Sequence, residues 1–192
     1  SFFLLFTLNY IFDSYQKEHP FSQIFNAVFI LSTLSFIAPN LLYLALLIII
    51  SGVNYSNLNW RNFNVSCIGL ITPYLFYFIY TVLFEKDFVF PEFSKLSFIN
   101  LPNISNIILP KLIWICILLI TSIFAFIELF RWLYKKSIRS RKSLLIVFYY
   151  FILIFVLLLF KGLHSWYFLM TPLCIIIGNY FTYTKNRPIA NL

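Results

Sequence analysis

The chain has 192 residues, 61% of them hydrophobic, 22% aromatic and only 10% charged, with a formal net charge of +8 and a mean hydropathy of +0.89. An ordinary soluble domain carries about 25% charged residues, so too little polar surface is present here to cover a water-soluble core. The basic residues flank apolar runs instead of forming a stripe between stacking aromatics, which excludes a nucleic-acid partner.

Lipid is the expected solvent, and the expected class is all-α. A membrane crossing needs about 20 apolar residues for roughly 30 Å of hydrocarbon, with every backbone amide satisfied inside the segment. On that rule the chain reads as a polytopic transmembrane helical bundle of about six spans, with partial helices at both chain ends. Residues 1–192 form a single transmembrane domain, expected to be a fragment of a longer chain. Residues 1–12 are the end of a helix, because they open on Phe2, Phe3, Leu4 and Leu5 without a basic leader or a small-residue cleavage site. Residues 13–20 (DSYQKEHP) make a polar turn.

The runs 21–40 and 39–53 are each short, and Pro39-Asn40 divides them, since proline lacks a backbone donor and biases its predecessor away from helix. This predicts a tight hairpin of two short spans; an interfacial first run is the alternative. Residues 54–62 (NYSNLNWRN) form a polar loop, where Trp60 and Arg61 read as an interfacial anchor, the indole at headgroup depth and the guanidinium snorkelling to water. Residues 63–84 give a full span with a kink expected at Thr72-Pro73. Such a kink is tolerated where a neighbouring helix or the threonine hydroxyl satisfies the freed carbonyl.

Residues 85–106 are the longest extramembrane loop, rich in Pro, Ser and Asn. A carboxylate there, Glu85, Asp87 or Glu92, would suit a general base for a lipid-linked substrate. Solvated loop acids need no such role, and no partner acid, metal-ligand cluster or glycine-rich phosphate loop accompanies them. The next span, 107–134, has about 28 residues and would extend roughly 42 Å, so tilt or protrusion must absorb the excess. Within it Glu128 is an intramembrane carboxylate, expected to form an ion pair with Arg131 one turn on, near the cytoplasmic end. An ion, proton or headgroup site is the alternative. Lys135, Lys136, Arg139, Arg141 and Lys142 then form a basic turn, a topology signal that also suits an anionic lipid headgroup. Spans 144–160 and 166–184 follow, with a second basic turn at 185–188.

Orientation follows from the cations near the span ends. Lys17, Arg61, Arg131, Lys135, Lys136, Arg139, Arg141, Lys142, Lys185 and Arg187 fall on one face; Lys86, Lys95, Lys111 and Lys161 fall on the other. The first face is therefore cytoplasmic, the 85–106 loop outside, and the assignment holds only if 21–53 crosses twice. Cys67, Cys116 and Cys174 show no paired spacing, and His19 and His164 fall on opposite faces, so neither a metal site nor a cofactor is expected.

The run Asn59-Trp60-Arg61-Asn62-Phe63, followed by Gly69 to Phe76 (GLITPYLF), resembles an uncharacterised family of polytopic inner-membrane proteins from Bacteroidota. The basic turn entering Arg141-Lys142-Ser143 and the closing Thr171-Pro172 to Asn179-Tyr180-Phe181 are similar to that family's second half. The resemblance implies a bacterial inner membrane and a domain of unknown function. Some members carry a carotene-monooxygenase label, but the histidine cluster that iron chemistry requires is missing from this sequence. The short hydrophobic hairpins also look distantly like the membrane half of C-type glycosyltransferases. The leading functional expectation is a structural or accessory component of the cell envelope, with membrane lipid and other envelope membrane proteins as partners. A lipid-linked sugar transferase and a small-solute transporter are the alternatives. A polar cavity beside Pro73 and Pro172 would mark the transporter, and a smooth, apolar exterior groove without a cavity the subunit.

Overall fold

Six α-helices make up the regular structure of the computed structural model, which describes residues 2–88, 126, 127, 130, 137–161 and 166–183. They are α1 (Phe2–Asp13), α2 (Phe21–Ser35), α3 (Leu46–Tyr55), α4 (Trp60–Leu83), α5 (Ile138–Lys161) and α6 (Trp166–Tyr183), with a 3-10 segment, Pro39–Ala45, leading into α3. Among the described residues two stretches, Trp60–Leu83 and Ile138–Leu157, are long and apolar enough to cross a membrane.

The predicted hairpin forms, with its break slightly earlier than the sequence suggests. Helix α2 stops at Ser35, and Ala38 is extended at φ −138°, the conformation that a following proline imposes. Pro39 then opens the 3-10 segment, where its missing N–H costs nothing. Ala45 and Leu46 keep right-handed helical angles, so residues 39–55 form one helical limb. Seven 3-10 residues at about 2.0 Å and ten α residues at about 1.5 Å make the limb roughly 29 Å long. An all-α limb would be several ångströms shorter.

Side-chain contacts fix the direction of each helix. Tyr15, just after α1, packs its ring on Tyr55 at the end of α3, with centroids 4.9 Å apart. Phe36, just after α2, meets Tyr74 and Tyr77 far along α4. Thus α2 leaves the end where α1 arrives, and the 39–55 limb returns to it. Helix α3 ends there in a Schellman arrangement: Ser56 takes a left-handed φ of 58°, Asn57 N–H donates to Gly52 O at 2.8 Å, and Ser56 N–H to Val53 O at 3.1 Å.

Helix α4 lies parallel to α2. The Ser32 hydroxyl donates to Leu70 O at 2.6 Å, and Ser35 Oγ shares a 2.6 Å hydrogen bond with Tyr74 OH. Gly69 permits this approach, for a Cβ there would sit 3.2 Å from Val28 Cβ and 3.3 Å from Phe25 O. Helix α4 continues through Pro73. The Thr72 hydroxyl bonds Ile68 O at 2.6 Å, one carbonyl before the Gly69 carbonyl that Pro73 leaves without its donor. The Ser32 hydroxyl of the neighbouring helix reaches the carbonyl after it, that of Leu70, so the two hydroxyls fall on either side of Gly69 O.

Helices α5 and α6 pair antiparallel, with Ile176 packed against Leu144 and Val147. Along α5, Ile146, Tyr150 and Ile154 join Leu4, Leu8, Leu31, Leu44 and Leu47 in the main core. Phe126 and Phe130 set their rings against Phe148 and Phe151. Polar side chains are also interior: Ser32 and Ser35 are 0% exposed, whereas Phe76 and Leu83 on α4 are 65% and 73% exposed.

Candidate functional site

Three segments converge at one end of the bundle: the turn after α1, the loop from α3 to α4, and the start of α5. Asn54 Nδ2 donates to Lys142 O at 3.1 Å, and Tyr55 OH lies 3.5 Å from Ser143 Oγ. Asn57 Nδ2 donates to Ser14 O at 3.0 Å, and Asn62 Nδ2 to Asn57 O at 2.6 Å. The Lys142 ammonium stands 5.7 Å from the Tyr15 ring centroid, a cation–π contact that orients the side chain.

Several expected site residues meet here. Arg61 begins α4, and Arg139, Arg141 and Lys142 begin α5, with Lys17 in the turn between α1 and α2. Trp60 is 75% exposed and stacks on Phe63 with centroids 5.8 Å apart. The first turn of α5 holds no acidic residue, although a helix N-terminus favours anions and disfavours cations. Helix stability alone therefore does not account for the basic cluster. Glu128, Arg131, Lys135 and Lys136, the 107–134 span apart from residues 126, 127 and 130, residues 89–106 of the loop and the second basic turn lie outside the described residues.

The opposite end of α4 carries Lys86. Its ammonium donates to Tyr80 OH at 3.0 Å, which holds the lysine above its ordinary pKa. Glu85 and Asp87 beside it are exposed. Among the described residues no group of three or more His, Cys, Asp or Glu is placed to hold a metal, and Cys67 and Cys174 are free thiols.

A cleft of about 530 Å³ opens between α4 and the 39–55 limb, over a floor that includes Val28 of α2. Phe63, Ser66, Cys67 and Leu70 line one wall; Tyr43, Leu46 and Ile49 are among the residues of the other. The sequence reading missed this cleft and the asparagine junction. The junction had a signal, the clustered amides of NYSNLNWRN, which are costly to leave unpaired. The cleft had none, because its walls are as apolar as every other helix face. Compared with known proteins, the chain matches no family model, no curated protein and no solved structure.

Proposed function

We propose that this chain is a multi-pass protein of a bacterial inner membrane, a structural or accessory component of the cell envelope whose basic end faces the cytoplasm. The observation that carries the reading is an apolar exterior combined with hydroxyl side chains in the interior. Helix α4 exposes Ile68, Ile71, Leu75, Phe76, Ile79 and Leu83, while Ser32, Ser35 and Thr81 are buried. Lipid accepts such an exterior, and small hydroxyl residues let helices approach and hydrogen-bond where no hydrophobic drive joins them. Ser32 donates across to Leu70 O of α4 at 2.6 Å, while Thr7 and Ser51 donate within their own helices, to Leu4 O at 2.7 Å and Ile48 O at 2.8 Å.

Helix directions support about six crossings. The 39–55 limb, at roughly 29 Å, matches the hydrocarbon thickness although α3 alone does not. Helix α4 ends away from the basic junction and α5 begins at it, which supports a further crossing between them, the 107–134 span. Arg61, Arg139, Arg141 and Lys142 on one side, with Lys86 on the other, agree with the positive-inside rule. The cations at the start of α5, unfavourable to its own dipole, then find their favourable interaction with an anionic leaflet. The cleft is apolar and includes neither Pro73 nor Pro172 in its lining, unlike the polar cavity expected of the transporter. The resemblance to the Bacteroidota family is what points to an inner membrane.

Two experiments test the reading together. The protein should stay in the membrane pellet through alkaline extraction, and reporter fusions after Lys142 and within residues 100–106 should report cytoplasm and outside. Release into the supernatant, or the reverse pair of reporter signals, refutes it.

A further inference from the structure

Building on the membrane reading, we propose that the cleft between α4 and the 39–55 limb holds one acyl chain of an anionic phospholipid, with the headgroup at the basic end of the bundle. Both walls of the cleft pack against α2, and one of them is drawn to α5 as well. Helix α3 is drawn to α5 by Asn54 on Lys142 O and by Tyr55 beside Ser143. Helix α4 is drawn to α2 by the Gly69 approach and the two serine hydrogen bonds. The space left between them, about 530 Å³, falls in the range of small-molecule sites.

Its lining selects the occupant. The walls are aliphatic and aromatic, and the Ser66 hydroxyl is already committed to Asn62 O at 2.9 Å. A polar solute would be desolvated there with little return, whereas an alkyl chain gains contact along Phe63, Cys67 and Leu70, one above another on α4. Charge selects the headgroup. Phe63 marks the junction end of the cleft, where Trp60 stacks on it and Arg61 begins the helix. Lys17, Arg139, Arg141 and Lys142 stand at that same end of the bundle, outnumbering Asp13 and Glu18. An aromatic and cationic rim above an apolar slot matches a phosphate diester joined to a hydrocarbon chain.

The test uses the purified full chain in detergent, titrated with phosphatidylglycerol or phosphatidylcholine and read by native mass spectrometry. Wild type should hold one phosphatidylglycerol in preference to phosphatidylcholine. Ala45→Phe and Cys67→Phe, which fill the slot from opposite walls, should each weaken retention about tenfold, since excluding roughly two methylenes already carries that factor. Arg61→Gln should lower phosphatidylglycerol retention towards the phosphatidylcholine level. Circular dichroism reports whether the variants fold. If both bulky variants fail to fold, alkylation of Cys67 in the wild type decides: phosphatidylglycerol should slow it and phosphatidylcholine should not. Equal retention of the two lipids, undiminished binding in a folded bulky variant, unprotected Cys67, or a dimer mass in place of the lipid adduct overturns the proposal. Alkaline extraction keeps the two readings apart. An integral protein without the lipid preference loses only the cleft assignment, while a protein released by alkali loses the membrane reading itself.

Discussion

Replacing Gly69 probes the contact that seats α4 on α2. A Cβ at this position would lie 3.2 Å from Val28 Cβ and 3.3 Å from Phe25 O, inside the roughly 3.5–4.0 Å at which carbon atoms attract. Gly69→Ala therefore needs a shift of a few tenths of an ångström, and the better helix propensity of alanine, about 1 kcal/mol, offsets it. The alanine variant should stay within about 1 kcal/mol of wild type. Gly69→Val adds two methyls directed at the same wall, and overpacking of that kind costs about 1–3 kcal/mol. Any retreat of α2 would also lengthen the Ser32 and Ser35 hydrogen bonds, both 2.6 Å, each worth about 0.6 kcal/mol in a membrane. The valine variant should lose about 2–4 kcal/mol in total. Reversible unfolding in mixed micelles, with rising dodecyl sulfate and circular dichroism as the readout, measures the difference. Adding Val28→Ala should restore part of the loss by removing the opposing methyls. A valine variant as stable as the alanine variant, or one that Val28→Ala does not relieve, refutes the close-packing argument.

Further outcomes follow from two polar contacts. Ser35→Ala and Tyr74→Phe, combined in a double-mutant cycle, should show a coupling of about 0.6 kcal/mol, with an upper bound near 1.7 kcal/mol; purely additive losses would mean that the hydroxyls do not interact. Ser56→Gly should stabilise the fold by about 0.5–1 kcal/mol in the same unfolding assay, because Ser56 holds a left-handed φ of 58° that glycine adopts without strain.

Helix existence was legible because apolar run length is a strong signal in a chain of this composition. Pro39 announced the hairpin for a covalent reason, the lost donor and the restricted predecessor. Helix faces were not legible. Helices that are apolar all round carry no amphipathic stripe, so nothing in the pattern of α4 said that Gly69 and Tyr74 would face α2 while Phe76 and Leu83 faced outward. Neither hydroxyl expected to serve the carbonyl freed by Pro73 lands on Gly69 O, for a geometric reason: Thr72 reaches back four residues to Ile68 O, and Ser32 of α2 meets Leu70 O. The basic residues were chosen by their position at helix ends, and Arg61, Arg139, Arg141 and Lys142 do share one end. The asparagines that tie that end together needed coordinates, because their partners are backbone carbonyls as many as 88 residues away in sequence.

By itself the sequence determined the all-helical class, the break at Pro39, and which helix ends carry positive charge, since these depend on composition, proline chemistry and spacing along one chain. Tertiary structure decided the rest. The 3-10 stretch sets the length of the 39–55 limb, the serines of α2 join it to α4, and the asparagines draw α3 towards α5. The cleft is the volume left between two walls that both stand on α2, one of them also drawn to α5, and no local run of residues encodes a distance between walls.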